Sequence, residues 1–211
     1  MRGDGVDVED GDVLLVSEKA LAISQGRSYP IDEIAVSRTA RLLSRYVSHE
    51  PTGVGLAHPT TMQLAIDEAG APRILLAAAA AAATKPLGMR GVFYRVAGHG
   101  VNAIDGPSSL NLPPYDSWAT KSPLDPSGSA LRIAADVRRR TGRRVGVAII
   151  DANDMAAEVF ASVGVEAEAV LAMIADNPLG QSDEQTPFGL VRRVAPATAP
   201  APVRQQVPVG A

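Results

Sequence analysis

The chain has 211 residues, of which 20% are charged and 46% apolar, and its formal net charge is −3. That length suffices for one large domain or two small ones with a true core, and the mildly negative charge argues against a general nucleic-acid binder, which needs a basic stripe to neutralise phosphates. Cysteine is absent, which removes disulfides, a thiolate nucleophile and cysteine-held metal; any metal would rest on oxygens or on His49, His58 and His99, and oxygen ligands favour magnesium, calcium or manganese.

The first ten residues are acidic and have no apolar core, unlike a signal peptide. The longest uncharged apolar run, residues 74–83, is too short to span a bilayer. The expectation is a cytoplasmic protein with neither membrane nor nucleic acid as partner. Residues 12–16, Asp-Val-Leu-Leu-Val, form an apolar run bounded by Gly11 and by Ser17-Glu18-Lys19, which predicts a buried strand. A short mixed segment follows to a glycine turn at Gly26-Arg27. Over residues 34–47 the apolar positions Ile34, Ala35, Leu42, Leu43, Tyr46 and Val47 predict an amphipathic helix with Arg38, Arg41 and Arg45 on its wet face.

Residues 50–58 read as loop. A short helix is expected over 60–69 with Gly70 as its stop. Residues 73–76 look like a strand, and the alanine tract 77–83 suits a helix by propensity, although packed sheets also accept alanine. Residues 91–97, Gly-Val-Phe-Tyr-Arg-Val-Ala, read as a strand leading into the loop 98–109, Gly-His-Gly-Val-Asn-Ala-Ile-Asp-Gly-Pro-Ser-Ser. The long irregular stretch 110–129 carries four prolines and the only tryptophan, Trp118.

Ser127-Gly-Ser129 then caps a helix over 130–141 that stops at Gly142. Residues 144–150 form a near-continuous apolar strand of the fully buried kind, ending in Asp151-Ala-Asn-Asp154. Another helix is expected over 163–174. A polar run over 176–187 and a short apolar piece over 188–191 follow. Residues 1–193 are expected to be one domain, and 194–211, rich in Pro and Ala, a disordered tail.

Three acidic groups fall beside expected strand ends: Asp105, the pair Asp151 and Asp154, and the trio Asp176, Asp183 and Glu184. Magnesium is usually held by one or two carboxylates plus substrate phosphates, an arrangement suited to phosphoryl transfer. Lys19, Arg27 or His99 could supply the opposing positive charge. Each acid taken singly is more simply a turn or a helix cap, as Asp105-Gly106-Pro107 illustrates. Gly88-Met-Arg-Gly91 lacks the ending of a phosphate loop, and no Gly-x-Ser-x-Gly elbow supports a serine hydrolase.

At these same loops the sequence resembles the coenzyme F(420)-0:L-glutamate ligase family. Gly11-Asp-Val-Leu-Leu-Val-Ser-Glu-Lys19 followed by Gln25-Gly-Arg27 is similar to that family's opening strand, lysine and Glu-Gly-Arg turn. Val101-Asn-Ala-Ile-Asp105 with Ser108 and Ser109 resembles its Asn-Ala-Gly-Ile-Asp-x-Ser-Asn loop. Asp125-Pro-Ser-Gly-Ser-Ala-Leu-Arg132 resembles its Asp-Pro-Asp-x-Ser-Ala helix start, and Val147-Ala-Ile-Ile-Asp151 its strand ending in Asp-Thr. The pieces keep the family's order and cover most of residues 11–193. The chain departs from the pattern at several positions: Ile23 stands where the family has a second lysine, Gln25 where it has glutamate and Ala152 where it has threonine, the family's Gly-Arg-Pro is replaced by Asn153-Asp154-Met155, and the asparagine after Asp-x-Ser is missing.

The resemblance implies an α+β fold with a mixed sheet, of the F(420)-0 gamma-glutamyl ligase type, assembled as a homodimer. It implies a ligase that joins L-glutamate to a deazaflavin coenzyme, or a related carboxylate, through a gamma-linked amide by way of an acyl phosphate. GTP would be the cosubstrate, Mg2+ or Mn2+ the metal, and K+ a further aid. Carried over by motif, Asp105 and Asp151, with Asp154 in support, would hold metal. Lys19 and His99 would serve catalysis, and Lys19, Arg27, Asn102 and Ser108 would line the nucleotide and substrate pocket. The departures leave a second reading beside the first, a divergent member that keeps the fold and binds a metal, nucleotide or protein partner without ligase activity.

Overall fold

A computed structural model describes residues 7–47, 55–89, 91–108, 111, 113–152, 157–178, 180 and 186–192. Its main sheet has four strands in the order β5-β4-β1-β6. These are β1 (Val13–Ser17), β4 (Gly146–Ala152), β5 (Ala157–Val163) and β6 (Phe188–Val191). The two central strands, β1 and β4, run parallel in the register Val13↔Gly146 to Ser17↔Ile150, and β5 and β6 flank them antiparallel. This is the mixed sheet of an α+β fold.

The sheet is covered on both faces, which explains the unbroken apolar runs of its central strands. Alternation sends Val16, Val147 and Ile149 to one face, where Ala130, Ile133, Ala134 and Val137 of helix α7 (Pro126–Thr141) cover them. Val13, Leu15, Ala148 and Ile150 go to the other face, beneath Val170 of helix α8 (Ala167–Met173) and Ile174. Asp12, only 2% exposed, accepts two hydrogen bonds from the Arg192 guanidinium, at 3.1 and 2.9 Å, and so ties the end of β6 to the start of β1.

The second part of the molecule is helical and is inserted between β1 and β4. It contains α2 (Arg38–Ser44), α3 (Pro59–Ala69), α4 (Ala71–Thr84), α5 (Val92–Ala97) and α6 (His99–Asn102). A two-stranded ribbon, β2 (Ser28–Pro30) with β3 (Trp118–Thr120), closes it. Leu56, Met62, Leu64, Ile74, Val101 and Ile104 form its core.

Several expectations are corrected here. Residues 91–97 are the helix α5, not a strand. The run has strand-like composition, but Phe93, Tyr94 and Val96 pack on the helical core, and tertiary packing overrides propensity. Gly98 ends α5 at φ 104°, and a Cβ there would stand 2.9 Å from Arg73, whose side chain bonds the Val96 carbonyl at 2.9 Å. The expected strand 73–76 lies inside α4, whose helix runs on through the alanine tract with Ile74 and Ala77 buried one turn apart.

The helix over 34–47 is only Arg38–Ser44, because Ser37 caps it by accepting a hydrogen bond from the Ala40 amide at 3.1 Å. Arg38, Arg41 and Arg45 are exposed as expected, whereas Leu42 and Tyr46 also face out and Ala40 and Ser44 face in. Helix α7 begins at Pro126 with Asp125, not Ser127, as its cap. Val163 closes β5 instead of opening a helix. The mixed segment after β1 is a helix, α1 (Glu18–Ser24), and β2, β3 and β5 were not expected as strands. The expected tail, 194–211, lies outside the described residues.

Candidate functional site

Parallel strands direct their carboxyl ends the same way, and sites in α/β sheets tend to form outside those ends. The register of β1 on β4 ends at Ser17↔Ile150, so the next residues, Glu18 and Asp151, stand beside each other. Asp151 is in turn paired across the sheet with Glu158 of β5. Glu18, which opens α1 directly after β1, therefore stands in a row with Asp151 of β4 and Glu158 of β5. Like charges placed directly opposite repel, so this row needs a compensating cation.

Lys19 supplies part of that charge. Its Nζ lies 2.8 Å from Oδ2 of Asp105 and donates to Oδ1 of Asn111 at 3.1 Å. Asp105 reaches this point from the helical part of the chain. It follows Ile104, which is buried in the helical core, and its backbone exchanges two hydrogen bonds of 2.9 Å with Thr120 at the end of β3. The ribbon thus carries an acid across to the lysine that follows β1.

Burial sets the protonation of the group. Glu18 is 6% exposed, and loss of hydration, followed by the charges of Asp105 and Asp151, pushes its pKa up to about 8. Its Oε1 is buried without a hydrogen-bond partner. Asp151 lies on the open side of the strand end, yet enough protein surrounds its carboxyl that lost hydration, then Asp105, raises its pKa as well. Burial alone would lower Lys19, but Asp105 outweighs it and raises the lysine above its ordinary value, so the ammonium keeps its proton.

A second ionic group lies next to the first. Glu68 of α3 accepts from Arg27 at 2.8 Å and lies 3.1 Å from Lys121, both at Oε2. Lys121 follows Thr120 directly, its backbone amide donates to the Arg27 carbonyl at 2.9 Å, and its ammonium stands 6.0 Å above the Tyr29 ring. Arg27 also donates through Nε to the Ser122 carbonyl. Burial works to raise Glu68, but the hydrogen bonds from Arg27 and Lys121 prevail and hold its pKa below the usual carboxylate range.

The structure therefore brings Lys19, Asp105 and Asp151 together and sets Arg27 one residue pair away, engaged with Glu68. Asn102 is exposed at the end of α6, and the Ser108 amide donates to the Asp116 carbonyl at 3.0 Å. His99 opens α6. Asp176 lies exposed after α8. Asp154, Asp183, Glu184 and His49 are outside the described residues. Sequence reasoning missed Glu18, Glu158, Glu68 and Lys121. Only Glu18 carried a signal, a carboxylate beside Lys19 at a strand end; the others depend on pairings that sequence does not display.

Three of the departures from the expected motifs have structural settings. Gln25 donates to the Leu124 carbonyl at 2.9 Å and accepts from the Leu124 amide at 2.7 Å, a two-way bond that a glutamate carboxylate could not complete. Ala152 packs with the apolar cluster beneath α8. Ile23 is half-buried in α1.

A hard divalent cation fits this donor set: the groups are all oxygens, the carboxyls outnumber the single ammonium among them, and one buried carboxyl oxygen has no partner. Among the described residues, no three acid or histidine side chains converge to hold an ion. No described helix is long and apolar enough to cross a membrane.

A comparison with curated proteins finds no match. The family model described as F420-0:Gamma-glutamyl ligase matches residues 1–166, well over half of the chain. That span includes every element that supplies Glu18, Lys19, Asp105, Asp151 and Glu158, and it stops short of α8 and β6. The chain belongs to the F420-0:Gamma-glutamyl ligase family.

Proposed function

We propose that the protein is an active ligase that joins L-glutamate to F420-0, or to a closely related carboxylate, with GTP as phosphoryl donor and Mg2+ or Mn2+ as the metal. The observation that carries this reading is the Lys19–Asp105 ion pair of 2.8 Å, set against Asp151 at the carboxyl ends of two adjacent parallel strands. A substrate carboxylate oxygen attacks the γ-phosphorus of GTP, and GDP leaves with the electron pair of the broken P–O bond. The amine of glutamate then attacks the acyl carbon of that phosphate, inorganic phosphate departs, and the surplus amine proton passes to water.

The protein's part is mainly to position groups and offset charge. Lys19, kept protonated by Asp105, balances the charge of the transferred phosphoryl group. Asp105 fixes the direction of that ammonium, with Asn111 as its second acceptor. Asp105 and Asp151 would hold the metal, which when bound would neutralise phosphate charge and polarise the phosphoryl oxygens. The assay is GDP release by the purified chain with GTP, Mn2+, F420-0 and glutamate. Release that requires glutamate supports the reading; absence of GTP binding by calorimetry at millimolar Mn2+ overturns it.

A second reading, a member that binds without ligating, is favoured by Gln25, whose amide is committed to the Leu124 backbone where the family pattern has a charged side chain. The same assay separates the two, since this reading gives metal and nucleotide binding with no glutamate-dependent GDP.

A further inference from the structure

The carboxyl group of Glu18 has no structural task of its own. A buried polar atom in a folded protein almost always has a partner, yet Oε1 of this 6% exposed side chain has none. Lys19, the one cation among the described charges it faces, is already bound to Asp105 and Asn111. The other charges around it, Asp105, Asp151 and Glu158, are all acidic. Replacing Glu18 by an apolar residue would relieve both the burial and the repulsion, so its presence makes physical sense only if something positive arrives.

We infer that Glu18 is a direct ligand of the divalent cation, acting with Asp151 beside it at the ends of β1 and β4, while Asp105 remains chiefly the partner of Lys19. The inference rests on the metal-dependent reading above and changes which residue shares the ion with Asp151. One residue beyond the last register pair, Ser17↔Ile150, Glu18 and Asp151 follow neighbouring parallel backbones that lie roughly 5 Å apart. Two carboxylates are enough for an ion whose remaining positions are filled by phosphate oxygens and water. Ion binding would also give Oε1 the partner it lacks and would offset the repulsion along the Glu18–Asp151–Glu158 row.

The test is Mn2+ binding to the full chain, followed by the paramagnetic resonance signal of free Mn2+, with and without a non-hydrolysable GTP analogue. Glu18→Gln preserves shape and burial, and its affinity for Mn2+ is expected to fall tenfold or more while its unfolding midpoint in EDTA does not fall. Glu18→Asp keeps the charge but retracts it by one methylene, and it is expected to lose affinity as well. Wild-type affinity, within twofold, in either variant overturns direct ligation, and if the wild-type chain still binds Mn2+ the metal-dependent reading survives. No Mn2+ binding by the wild-type chain at millimolar concentration, with the analogue present, overturns both.

Discussion

Two groups of ionic side chains meet through the backbone pairing of Asp105 with Thr120, and they balance charge in opposite ways. Around Glu68, two cations share one carboxylate, and the guanidinium has a backbone carbonyl and the ammonium an aromatic face as further partners. Every charged group there has a named partner, and the network binds α3 to the β2–β3 ribbon. Around Glu18, the described charges that act on it are the carboxyl groups of Asp105, Asp151 and Glu158 and the Lys19 ammonium, and a buried oxygen of Glu18 has no hydrogen-bond partner. A network that is satisfied within the protein serves to fix structure. One left with surplus charge at the ends of parallel strands is arranged for a ligand, and the first holds the ribbon that delivers Asp105 to the second.

The sharpest way to separate them is pH. Glu18 has a folded pKa of about 8 against an ordinary 4.5. Below the ordinary value it is neutral in both states and costs nothing. Between the two values the folded chain keeps a proton that the unfolded chain has lost, so stability falls as pH rises, and the loss is complete above the folded value. A difference of that size is worth on the order of 5 kcal/mol. Denaturant unfolding in EDTA is therefore expected to show Glu18→Gln close to wild type near pH 4.5 and clearly more stable at pH 9. Asp12 and Glu68, whose pKa values are lowered, act on the acid side, where stability is lost as pH falls, and the wild-type-minus-variant difference removes them. Equal pH profiles for the two proteins would show that Glu18 is ionised and comfortable where it sits.

Lys19→Met attacks the open group through the one cation that the described residues supply to it. Glutamate-dependent GDP release is expected to fall by 10²- to 10³-fold, about 3–4 kcal/mol of transition-state stabilisation, with circular dichroism unchanged. Activity within a few-fold of wild type would move the phosphate-facing role elsewhere.

Glu68→Ala attacks the closed group. It leaves Arg27 and Lys121, both largely buried, without their shared anion, and uncompensated buried charge is costly. The expected loss is about 3 kcal/mol in unfolding free energy, read from denaturant midpoints. Arg139→Ala, which removes an exposed pair with Asp136 on α7, is expected to cost under about 0.5 kcal/mol and sets the baseline.

The same contrast marks what the sequence could reveal. β1 and β4 were legible because strands buried on both faces must be apolar throughout, and the acids that end each run stand out against it. Lys19 and Asp151 stand at the ends of those runs, whereas Asp105 stood out only behind an expected strand, 91–97, that proves to be a helix. The helical part was not: Phe93, Tyr94 and Val96 carry strand-like side chains, and only their packing on the helical core makes them a helix. Glu158 becomes meaningful only through the antiparallel pairing of β5 with β4, and Glu68 only through contacts 41 residues from Arg27. Charges that act across long sequence separations leave no local pattern. The buried state of Glu18 was equally hidden, because a carboxylate next to a lysine after a strand looks like an ordinary solvated end.

An effect smaller than the loss of either ionic group comes from behind the open group. Asp125 caps α7 by accepting from the Gly128 amide at 2.9 Å, and a Cβ on Gly128 would stand 1.9 Å from the other carboxylate oxygen. In the same turn, Gln25 at the end of α1 bonds the Leu124 backbone, and Ser129 receives Arg132 at 2.8 Å. Gly128→Ala must displace the cap, which costs about 1 kcal/mol, and it loosens the seat of the helix whose first residues are Glu18 and Lys19. Neither ionic group loses a member. Stability is therefore expected to drop by about that amount, with Mn2+ affinity falling no more than a few-fold. A tenfold loss of Mn2+ affinity would mean that the placement of α1, and not only the charges on it, sets the position of the carboxyl row.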